Sequence, residues 1–460
     1  MITGQVIQSR QLMTASLPPP DIQLPSPTNT TNTTNGPPTA AMPTSTFSSH
    51  PVAFRFSSGA LTVTPAGGDP ATTIPQSQLI CLLPTPYADT YTLVHHVSDD
   101  ELLRTQISHP PDELVSRLLL RSLPAHLAAA RVTAVVSTTS GGGGAVRYWE
   151  SVLEPLLSEL GVAADVVRTT AADSITSTVA ALAGATADDN TVILLAGDGG
   201  VHEAVNAVAD GGLTLALLPF GTGNAVASSY HSSRGYPALH ALLFGTPRPL
   251  PTFAARFGAG ARWTHGGEVC STRGAVVVSW GFHASLVADA EELRGDGVGV
   301  ERFQQAARKG LQDMHAYRGV VEFRTERGGE WQQQQQQHGS GHFYVLATMC
   351  SNLEARLTIS PHSTPGERAL HLVYFAAVET PKDALDIMEA AYAGGSHVGL
   401  PAVEYRKIAA LRITVDDAEE EAAHRRVCID GATVVLPRGG HVEVAVEEGG
   451  AKPGVKLVWV

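Results

Sequence analysis

The sequence predicts an α/β domain with a parallel sheet, followed by a mainly antiparallel β domain, after a disordered N-terminal tail. Three observations support this prediction. From about residue 131 to 250, apolar strand-like runs alternate with amphipathic helical segments, an order typical of a parallel sheet covered by helices. After about residue 250 this alternation fades and strand-like runs follow one another. At 460 residues the chain is also longer than one hydrophobic core usually supports.

The first 128 residues divide into a tail and an appendage. Residues 1–51 are rich in Pro, Thr, Ser and Asn and almost uncharged. Such a segment buries too little apolar surface to offset its ordering entropy, so it is predicted to be disordered. Residues 52–128 contain short alternating runs at 54–56, 61–64 and 91–94, with a helical pattern from 112 to 127. They predict a small strand-rich appendage.

Residues 129–250 predict the α/β domain with the parallel sheet. Strands are expected at 132–137, 164–168, 191–196 and 213–220, and helices at 175–183 and 201–209. Between the first two strands, an apolar stripe from Val146 to Leu160 predicts a further helix that Gly161 ends. Ligands of parallel sheets bind beyond the carboxyl ends of the strands. The glycine-rich loops at 140–144, 197–200 and 221–224 are therefore expected at one edge.

Residues 251–460 predict a β-rich domain that leaves a cleft against the first. Strand-like runs are expected at 276–280, 318–323, 343–349, 357–360, 370–375, 411–415, 427–429 and 442–446. Helical faces are expected from 303 to 317 and from 383 to 393. The glutamine tract at 332–337 predicts a disordered loop near 327–341.

Composition excludes several classes of function. The net charge of −13 disfavours a broad basic surface for nucleic acid. The four cysteines are single and far apart, without metal-ligand spacing, so reduced thiols in an intracellular protein are expected. No apolar run reaches the ~18 residues of a membrane span, and the N-terminus lacks the pattern of a secretory signal.

The loop that follows the predicted strand 191–196 is the first candidate site. Glycines on both sides of Asp198 allow a tight turn and let backbone N–H groups approach a phosphate. Asp198 can orient or deprotonate an attacking hydroxyl, help to hold Mg²⁺, or cap the helix after it. Glu203 is expected in the first helical turn, where a carboxylate also favours the helix dipole. No P-loop motif is present, so phosphate charge must be neutralised from elsewhere.

Four ordered blocks resemble the diacylglycerol kinase catalytic family and, within it, the sphingosine (long-chain base) kinases. The resemblance runs from about residue 131 to the C-terminus. Its blocks are GDG, HE and N between 197 and 206, PFGTGNA at 219–225, WGF with two arginines and YRG between 280 and 319, and DG at 430–431. It implies a lipid kinase with an NAD kinase/diacylglycerol kinase-like α/β domain and a β-rich lipid-binding domain, with ATP and Mg²⁺ in the cleft between them.

The resemblance also implies roles for individual residues. Asp198 is implied as the general base on the lipid hydroxyl and, with Asp430, as a metal ligand. Arg294 and Arg302 are implied to clamp the ATP phosphates in place of a P-loop lysine. The remaining implied nucleotide contacts are Thr169, Gly197, Gly199, Gly200, Glu203, Gly221, Thr222, Gly223, Asn224, Asp430 and Gly431.

The acceptor is left open by one departure from the sphingosine kinases. They place acids for the sphingoid amine where this chain has Ser285, Leu286 and Val287, with Asp289 two positions later. An unpaired buried ammonium costs on the order of 3–5 kcal/mol. Either Asp289 pairs with the amine after a small register shift, beside Ser285, or the substrate has no amine. The expected acceptor is a sphingoid base, with diacylglycerol or ceramide as alternatives.

Two further departures bear on activity. Ser137 and Thr138 replace the Asn-Pro of the family's first loop, and Ala432 replaces the last carboxylate of its DGE block. A catalytically impaired lipid-binding regulator is therefore a third interpretation. The resemblance implies a lipid substrate and a cytoplasmic protein that contacts an intracellular membrane peripherally. The acidic composition predicts that nucleic acid is not a partner.

Overall fold

In the computed structural model the described part of the chain comprises residues 44–45, 53–57, 59–64, 71–128, 131–183, 190–208, 211–231, 237–295, 301–335, 341–448 and 454–460. The predicted disordered tail, 1–51, lies outside these residues except for strand β1 (Thr44–Ser45). A parallel sheet occupies the predicted α/β region and antiparallel sheets dominate elsewhere, which confirms the mixed α/β and β class.

The predicted appendage consists of two small sheets packed on the α/β half. Its strands are β2 (Ala53–Ser57), β3 (Ala60–Thr64), β4 (Thr72–Pro75), β5 (Leu79–Pro84), β6 (Thr90–Ser98) and β7 (Glu101–Ser108), followed by helices α1 (Asp112–Leu118) and α2 (Ala125–Ala128). One sheet has the order β2-β3-β4 and the other β1-β7-β6-β5. A ring nitrogen of His240 bonds the Ile80 carbonyl oxygen at 2.9 Å, which ties the appendage to the α/β half.

The α/β half contains central strands, β8, β10 and β11, whose side chains are buried on both faces, as a parallel sheet between helix layers requires. The strands are β8 (Arg131–Val136), β9 (Ala164–Arg168), β10 (Asn190–Ala196), β11 (Leu213–Pro219) and β12 (Thr246–Pro249). The helices are α3 (Gly144–Tyr148), α4 (Glu154–Glu159), α5 (Ser174–Leu182), α6 (Asp198–Ala207), α7 (Ala225–Tyr230) and α8 (Ala238–Phe244). A π-helical turn, Trp149–Leu153, joins α3 to α4.

The β half is built from two larger antiparallel sheets and three helices. Its strands are β13 (Phe253–Phe257), β14 (Arg262–Trp263), β15 (Ser271–Gly274), β16 (Val277–Gly281), β17 (Gly319–Arg324), β18 (Gln332–Gln333), β19 (His342–Thr348), β20 (Asn352–Glu354), β21 (Leu357–Thr358), β22 (Leu370–Ala376), β23 (Glu404–Ile408), β24 (Ala410–Val415), β25 (Arg426–Ile429), β26 (Ala432–Val435) and β27 (His441–Val446). The sheet orders are β15-β13-β27-β24-β17-β18 and β14-β26-β25-β16-β19-β22-β23, and β20 pairs with β21.

The helices of the β half are α9 (Phe282–Gly295), α10 (Arg302–Gln312) and α11 (Pro381–Tyr392). The helical face predicted from 303 to 317 is too long, because α10 ends at Gln312 and Tyr317 instead exchanges backbone hydrogen bonds with His342. Among the described residues, no helix combines the length and apolar character that a bilayer crossing demands.

The last strand of the chain returns to the first half. Strand β28 (Val455–Trp459) inserts between β11 and β12, parallel to β11 and antiparallel to β12, and completes the order β12-β28-β11-β10-β8-β9. The sequence analysis placed these residues in the β-rich half. They belong to the α/β sheet because Leu457 and Val458 are buried there, more than 200 residues after the strands they join.

The glutamine tract is also more ordered than predicted. Gln332 and Gln333 form an edge strand opposite Phe323 and Glu322, and the buried Gln334 donates from Nε2 to Glu404 Oε1 at 2.7 Å. The backbone of the tract therefore extends the sheet, and the Glu404 carboxylate satisfies the amide N–H group of the buried Gln334. Residues 336–340 of the predicted loop lie outside the described part.

Candidate active site

Asp198 occupies the junction between strand β10 and helix α6. The predicted helix begins at Val201, but α6 begins at Asp198 itself, with Gly197 as its N-cap residue. Asp198 does not cap its own helix. Its Oδ2 and Oδ1 accept hydrogen bonds from the backbone N–H groups of Ala225 and Val226, at 2.7 and 3.1 Å, and these groups open the neighbouring helix α7.

Burial raises the pKa of Asp198 to about 6, against the lowering effect of these two hydrogen bonds, and the charge of Asp430 raises it further. An ionised carboxylate offers about four lone-pair sites, and two of them are used. Asp198 therefore keeps acceptor capacity for a hydroxyl proton or a Mg²⁺ ion, and it changes protonation near neutral pH.

The two glycine loops meet backbone to backbone beside Asp198. A Cβ built on Gly221 would lie 2.5 Å from Gly197 Cα, and one built on Gly197 would lie 2.6 Å from Gly221 Cα. Asn224, with φ +55°, closes its own loop, because its side chain accepts from Gly221 N at 2.8 Å and donates to Gly221 O at 2.7 Å. Gly223 lies against Asp198, since its built Cβ would be 3.8 Å from Asp198 Oδ2.

The glycines differ in what surrounds them. A Cβ on Gly200 would meet Ala196 Cβ at 2.8 Å, so this glycine permits close helix packing. A Cβ on Gly199 would meet no atom within 4 Å. Gly199 is exposed and its Cα faces open space, so a ligand can approach the backbone at this position. Sequence reasoning did not foresee Leu353, whose carbonyl oxygen would lie 3.1 Å from a Cβ on Gly223.

One of the two predicted arginines, Arg302, contacts the glycine loop at 221–224. Arg302 Nη2 donates to the Thr222 hydroxyl at 3.3 Å, although the two residues are 80 positions apart. Burial lowers the pKa of Arg302, and the positive charge of Arg294 lowers it further. Arg294 is exposed and contacts Glu291 at 3.3 Å. The Arg302 guanidinium therefore brings a positive charge suited to phosphate to this glycine loop, while the phosphate contact of Arg294 stays a prediction.

Asp430 has a structural position that the sequence did not predict. Its carboxylate accepts hydrogen bonds from the backbone N–H groups of three consecutive residues, Ala275, Val276 and Val277, at 2.6, 3.0 and 2.7 Å. The side chain is fully buried, and His202 Nδ1 lies 3.7 Å from Oδ2. These contacts leave no exposed oxygen for the implied metal role, so Asp430 anchors the turn between β15 and β16.

The residues around Asp430 complete this corrected picture. Gly431 is exposed with φ +93°, a left-handed conformation that favours glycine. Ala432 begins strand β26 and pairs with Ile429 across the turn. The DGA block therefore forms a turn whose acid faces inward, and the implied nucleotide contact of Gly431 stays a prediction.

Thr169 and Glu203 lie to the sides of the loops. The Thr169 hydroxyl accepts from Thr138 N at 3.0 Å, and Thr138 Oγ1 donates to Thr169 O at 2.8 Å, which fixes the first loop. Because α6 starts at Asp198, Glu203 lies in its second turn, so the predicted dipole argument does not apply. Glu203 accepts from the Thr176 hydroxyl at 3.3 Å, and burial raises its pKa. Ser137 accepts from Ser140 Oγ at 2.7 Å.

Asn206 of the HE-x-x-N block joins the two halves of the protein behind the loops. Its Nδ2 donates to Arg273 O at 2.9 Å, and its Oδ1 accepts from Arg273 N at 2.8 Å and from Thr272 Oγ1 at 3.1 Å. Arg273 in turn donates from Nη1 to Val205 O at 3.0 Å. Helix α6 is therefore clamped to strand β15 of the β half.

The two residues proposed to recognise the acceptor are already engaged. Asp289 accepts from Lys309 Nζ at 3.0 Å and is ion-paired with Arg426. Ser285 Oγ lies 2.9 Å from the Tyr317 hydroxyl and also donates to Ala423 O. A carboxylate paired with two cations has little capacity for an ammonium group. The prediction that Asp289 pairs with a sphingoid amine therefore disagrees with the contacts of Asp289. No local sequence pattern indicated these partners, because they lie 20 and 137 positions away.

Comparison with known proteins gives one family match and several similar solved structures. Residues 131–253 match the family model of the diacylglycerol kinase catalytic domain, a range that covers β8 to β12 and the glycine loops at 197–200 and 221–224. A search of curated proteins gave no match. Two crystal structures from Bacillus anthracis strain Sterne are similar: one titled as a diacylglycerol kinase, at 13% identity and a TM-score of 0.45, and one titled as a putative diacylglycerol kinase, at 14% and 0.48. Each alignment covers 72% of this chain and 97% of the other.

Proposed function

We propose that this chain, whose residues 131–253 match the family model of the diacylglycerol kinase catalytic domain, is an ATP-dependent lipid kinase that phosphorylates the primary hydroxyl of a sphingoid long-chain base. The observation that carries the proposal is the convergence of Asp198, the 221–224 loop and Arg302 in one place. Such a set supplies a proton acceptor, backbone donors and a cation, which phosphoryl transfer requires.

The nucleotide side of the site would be formed by glycine amides and arginines. Gly199 faces open space, and Thr222 and Arg302 border the same loop. Backbone N–H groups and guanidinium groups bind phosphate oxygens through charge-assisted hydrogen bonds. Arg302 and Arg294 would thereby supply the charge that the absent P-loop lysine provides in other kinases.

The acceptor side would use Asp198. Its carboxylate would take the proton of the lipid hydroxyl as that oxygen bonds to the γ-phosphorus of ATP, and the bond to the β-phosphate oxygen would break to release ADP. Mg²⁺, when bound with ATP, neutralises phosphate charge, and one carboxylate with waters and phosphate oxygens is a usual ligand set for it. Asp198 has the remaining lone pairs for such a contact, whereas the Asp430 carboxylate is fully buried and accepts three backbone hydrogen bonds.

A neutral acceptor is the second candidate, and the pairing of Asp289 favours it. Because Lys309 and Arg426 already pair with the Asp289 carboxylate, its negative charge is not available to an amine at the predicted position. Diacylglycerol and ceramide carry a primary hydroxyl without an ammonium group, so either is compatible with these contacts. The proposed site of action is the surface of an intracellular membrane, which the enzyme would contact peripherally.

Phosphate transfer to a panel of lipids tests the proposal. Purified full-length protein with labelled ATP and Mg²⁺ is offered sphinganine, ceramide or diacylglycerol in mixed micelles. Label on sphinganine alone supports the sphingoid acceptor, whereas label on ceramide or diacylglycerol alone supports the neutral one. Absence of label on all three lipids, with ATP and lipid binding intact, would contradict the kinase proposal and leave the lipid-binding regulator.

Replacing Arg302 by alanine is expected to raise the KM for ATP at least about tenfold, because a charge-assisted phosphate contact contributes about 1.5–3 kcal/mol. The KM for the lipid is expected to change less. Arg308, exposed on the same helix α10, gives the matched control Arg308→Ala, which should leave both constants unchanged. Steady-state kinetics with each substrate varied make the comparison. An unaltered ATP constant in Arg302→Ala would remove this arginine from the nucleotide site.

A further inference from the structure

A hairpin of the β half lies against the helix that holds Asp198. Strands β20 and β21 pair antiparallel and form this hairpin, residues 352–358. Helix α7 binds the Asp198 carboxylate through the backbone N–H groups of its first two residues, and it spans only six residues, about 9 Å. In the second half of α7, the buried Ser229 contacts the hairpin. One short helix therefore joins the Asp198 carboxylate to an element of the β half.

The Ser229 hydroxyl makes two hydrogen bonds to one residue of the hairpin. Its Oγ donates to Asn352 O at 3.2 Å and accepts from Asn352 N at 3.1 Å. The Asn352 side chain then fixes the hairpin itself, since its Nδ2 donates to Thr358 Oγ1 at 3.1 Å and its Oδ1 accepts from Ser351 Oγ at 2.9 Å. A single hydroxyl of α7 thus serves both backbone groups of Asn352, and its removal leaves both groups without this partner.

The next residue of the hairpin, Leu353, reaches the loop at 221–224. A Cβ built on Gly223 would lie 3.1 Å from Leu353 O and 3.8 Å from Asp198 Oδ2. An oxygen atom of the β half and an oxygen atom of the α/β half therefore approach the same glycine. Because the approach of Leu353 O leaves no room for a side chain, the hairpin forms one wall of the loop. A hairpin that moved away would leave the loop without this wall.

Two further contacts define what Ser229 does. On the far side of the hairpin, Glu354 Oε1 accepts from the hydroxyl of Tyr392, the last residue of α11, at 2.6 Å. The hairpin is therefore held between α11 and α7. Helix α7 also contacts the β half outside the hairpin, because Gly366 N donates to the Tyr230 hydroxyl at 3.3 Å. Ser229 and Tyr230 are neighbours in sequence, so the two contacts can be removed one at a time.

We infer that Ser229 is a positioning residue for phosphoryl transfer, because it holds the hairpin of the β half against the 221–224 loop. The hydroxyl is buried and acts through Asn352 and Leu353 on the loop, and through α7 on the amides that bind Asp198. The inference rests on the proposed function, in which this loop binds ATP. Loss of the hydroxyl should weaken nucleotide binding, since small displacements of a positioning element have large effects on a bound phosphate.

Nucleotide binding by variants with and without the hydroxyl tests the inference. A fluorescent ATP analogue with Mg²⁺ is titrated into the full-length protein. We expect Ser229→Ala to raise the Kd about tenfold over the wild type. Threonine and valine have nearly the same shape, so Ser229→Val should bind about tenfold more weakly than Ser229→Thr, which keeps the hydroxyl. Tyr230→Phe removes the contact to Gly366 from the same helix and is the matched control, with an unchanged Kd expected.

Hydrogen exchange shows whether the effect passes through the hairpin. In Ser229→Ala the peptide that contains residues 350–358 should exchange faster, because Asn352 N loses its acceptor, whereas Tyr230→Phe should not change it. Circular dichroism checks that each variant is folded, and Ser229→Ala with Tyr230→Phe decides the question if the bulkier variants do not fold. An unchanged Kd in Ser229→Ala, or an equal rise in Tyr230→Phe, would overturn the inference.

Failure of the proposed function would be recognised separately. A wild type that binds the ATP analogue but transfers phosphate to none of the three lipids would contradict the lipid kinase alone. The Kd values of the Ser229 variants would still decide whether this hydroxyl positions the nucleotide loop. A wild type that does not bind the analogue would contradict both.

Discussion

Asp198→Asn is expected to lower kcat/KM for lipid phosphorylation by about 10²–10⁴-fold, the range that a positioned general base contributes. The amide keeps the size of the side chain but cannot accept the hydroxyl proton. It also has a single acceptor oxygen, so one of the two backbone N–H bonds to Ala225 and Val226 is lost. Losing one helix-capping contact costs about 0.5–2 kcal/mol, which leaves the protein folded.

The pH dependence gives a sharper expectation than the loss of rate. Burial raises the pKa of Asp198 to about 6, so the base becomes protonated as pH falls through that value. The wild-type kcat/KM should therefore decline below about pH 6, and the residual activity of Asp198→Asn should lack this decline. Initial rates between pH 5 and 8 measure both profiles. A wild-type profile that stays flat to pH 5 would contradict the assignment of the base.

The Asp198 carboxyl group should make the stability of the fold change with pH in the direction opposite to the activity. The folded-state pKa, about 6, lies above the unfolded value of 3.8, so the fold holds the proton more tightly and ionisation destabilises it. Lowering the pH from 7 to 5 therefore removes a destabilising charge from the wild type but not from Asp198→Asn. The Tm of the variant minus that of the wild type should be larger at pH 7 than at pH 5. Asp173→Asn, at an exposed carboxylate without a capping bond, is the matched control.

The sequence predicted what depends on local pattern. Apolar runs bounded by glycine define β10 and β11, and parallel strands place their carboxyl ends at one edge, so Asp198 and the 221–224 loop were expected together. The resemblance implied that Arg302 and Thr222 each contact the nucleotide, but the hydrogen bond between them was not predicted, because nothing within α10 indicates a partner 80 residues earlier. Helix α9 was not predicted, since alanines and acids obscure its apolar face.

What the sequence could not predict depends on distant partners. Asp430 reads as an exposed acid in a DG turn, yet three amides more than 150 residues earlier bury it. Asp289 reads as a free carboxylate, yet Lys309 and Arg426 both reach it. No local sequence pattern indicates that strand β28 pairs with β11 and β12. In each case a charge or a strand is satisfied by a tertiary contact, and its role changes with that contact.

Gly221→Ala is expected to destabilise the protein by about 2–3 kcal/mol, because its added Cβ would lie 2.5 Å from Gly197 Cα and 2.9 Å from Asn224 Oδ1. The nearest atom is backbone, so no side-chain rotation relieves the contact. The two loops must separate, and the Asn224 bond to Gly221 N weakens with them. Since Gly223 lies against Asp198, the same separation moves the loop away from the carboxylate, and phosphorylation should fall at least about 100-fold.

Gly199→Ala is the matched control, two residues from Gly197 in the other loop. Its Cβ would meet no atom within 4 Å, and alanine favours the first turn of α6 by about 0.5–1 kcal/mol over glycine. We therefore expect unchanged or higher stability in chemical denaturation, together with a raised KM for ATP if the open space receives phosphate. The pair separates two uses of glycine at one site: Gly221 lets two backbones touch, and Gly199 leaves room for a ligand. Equal denaturation midpoints for Gly221→Ala and the wild type would show that the loops do not need this close contact.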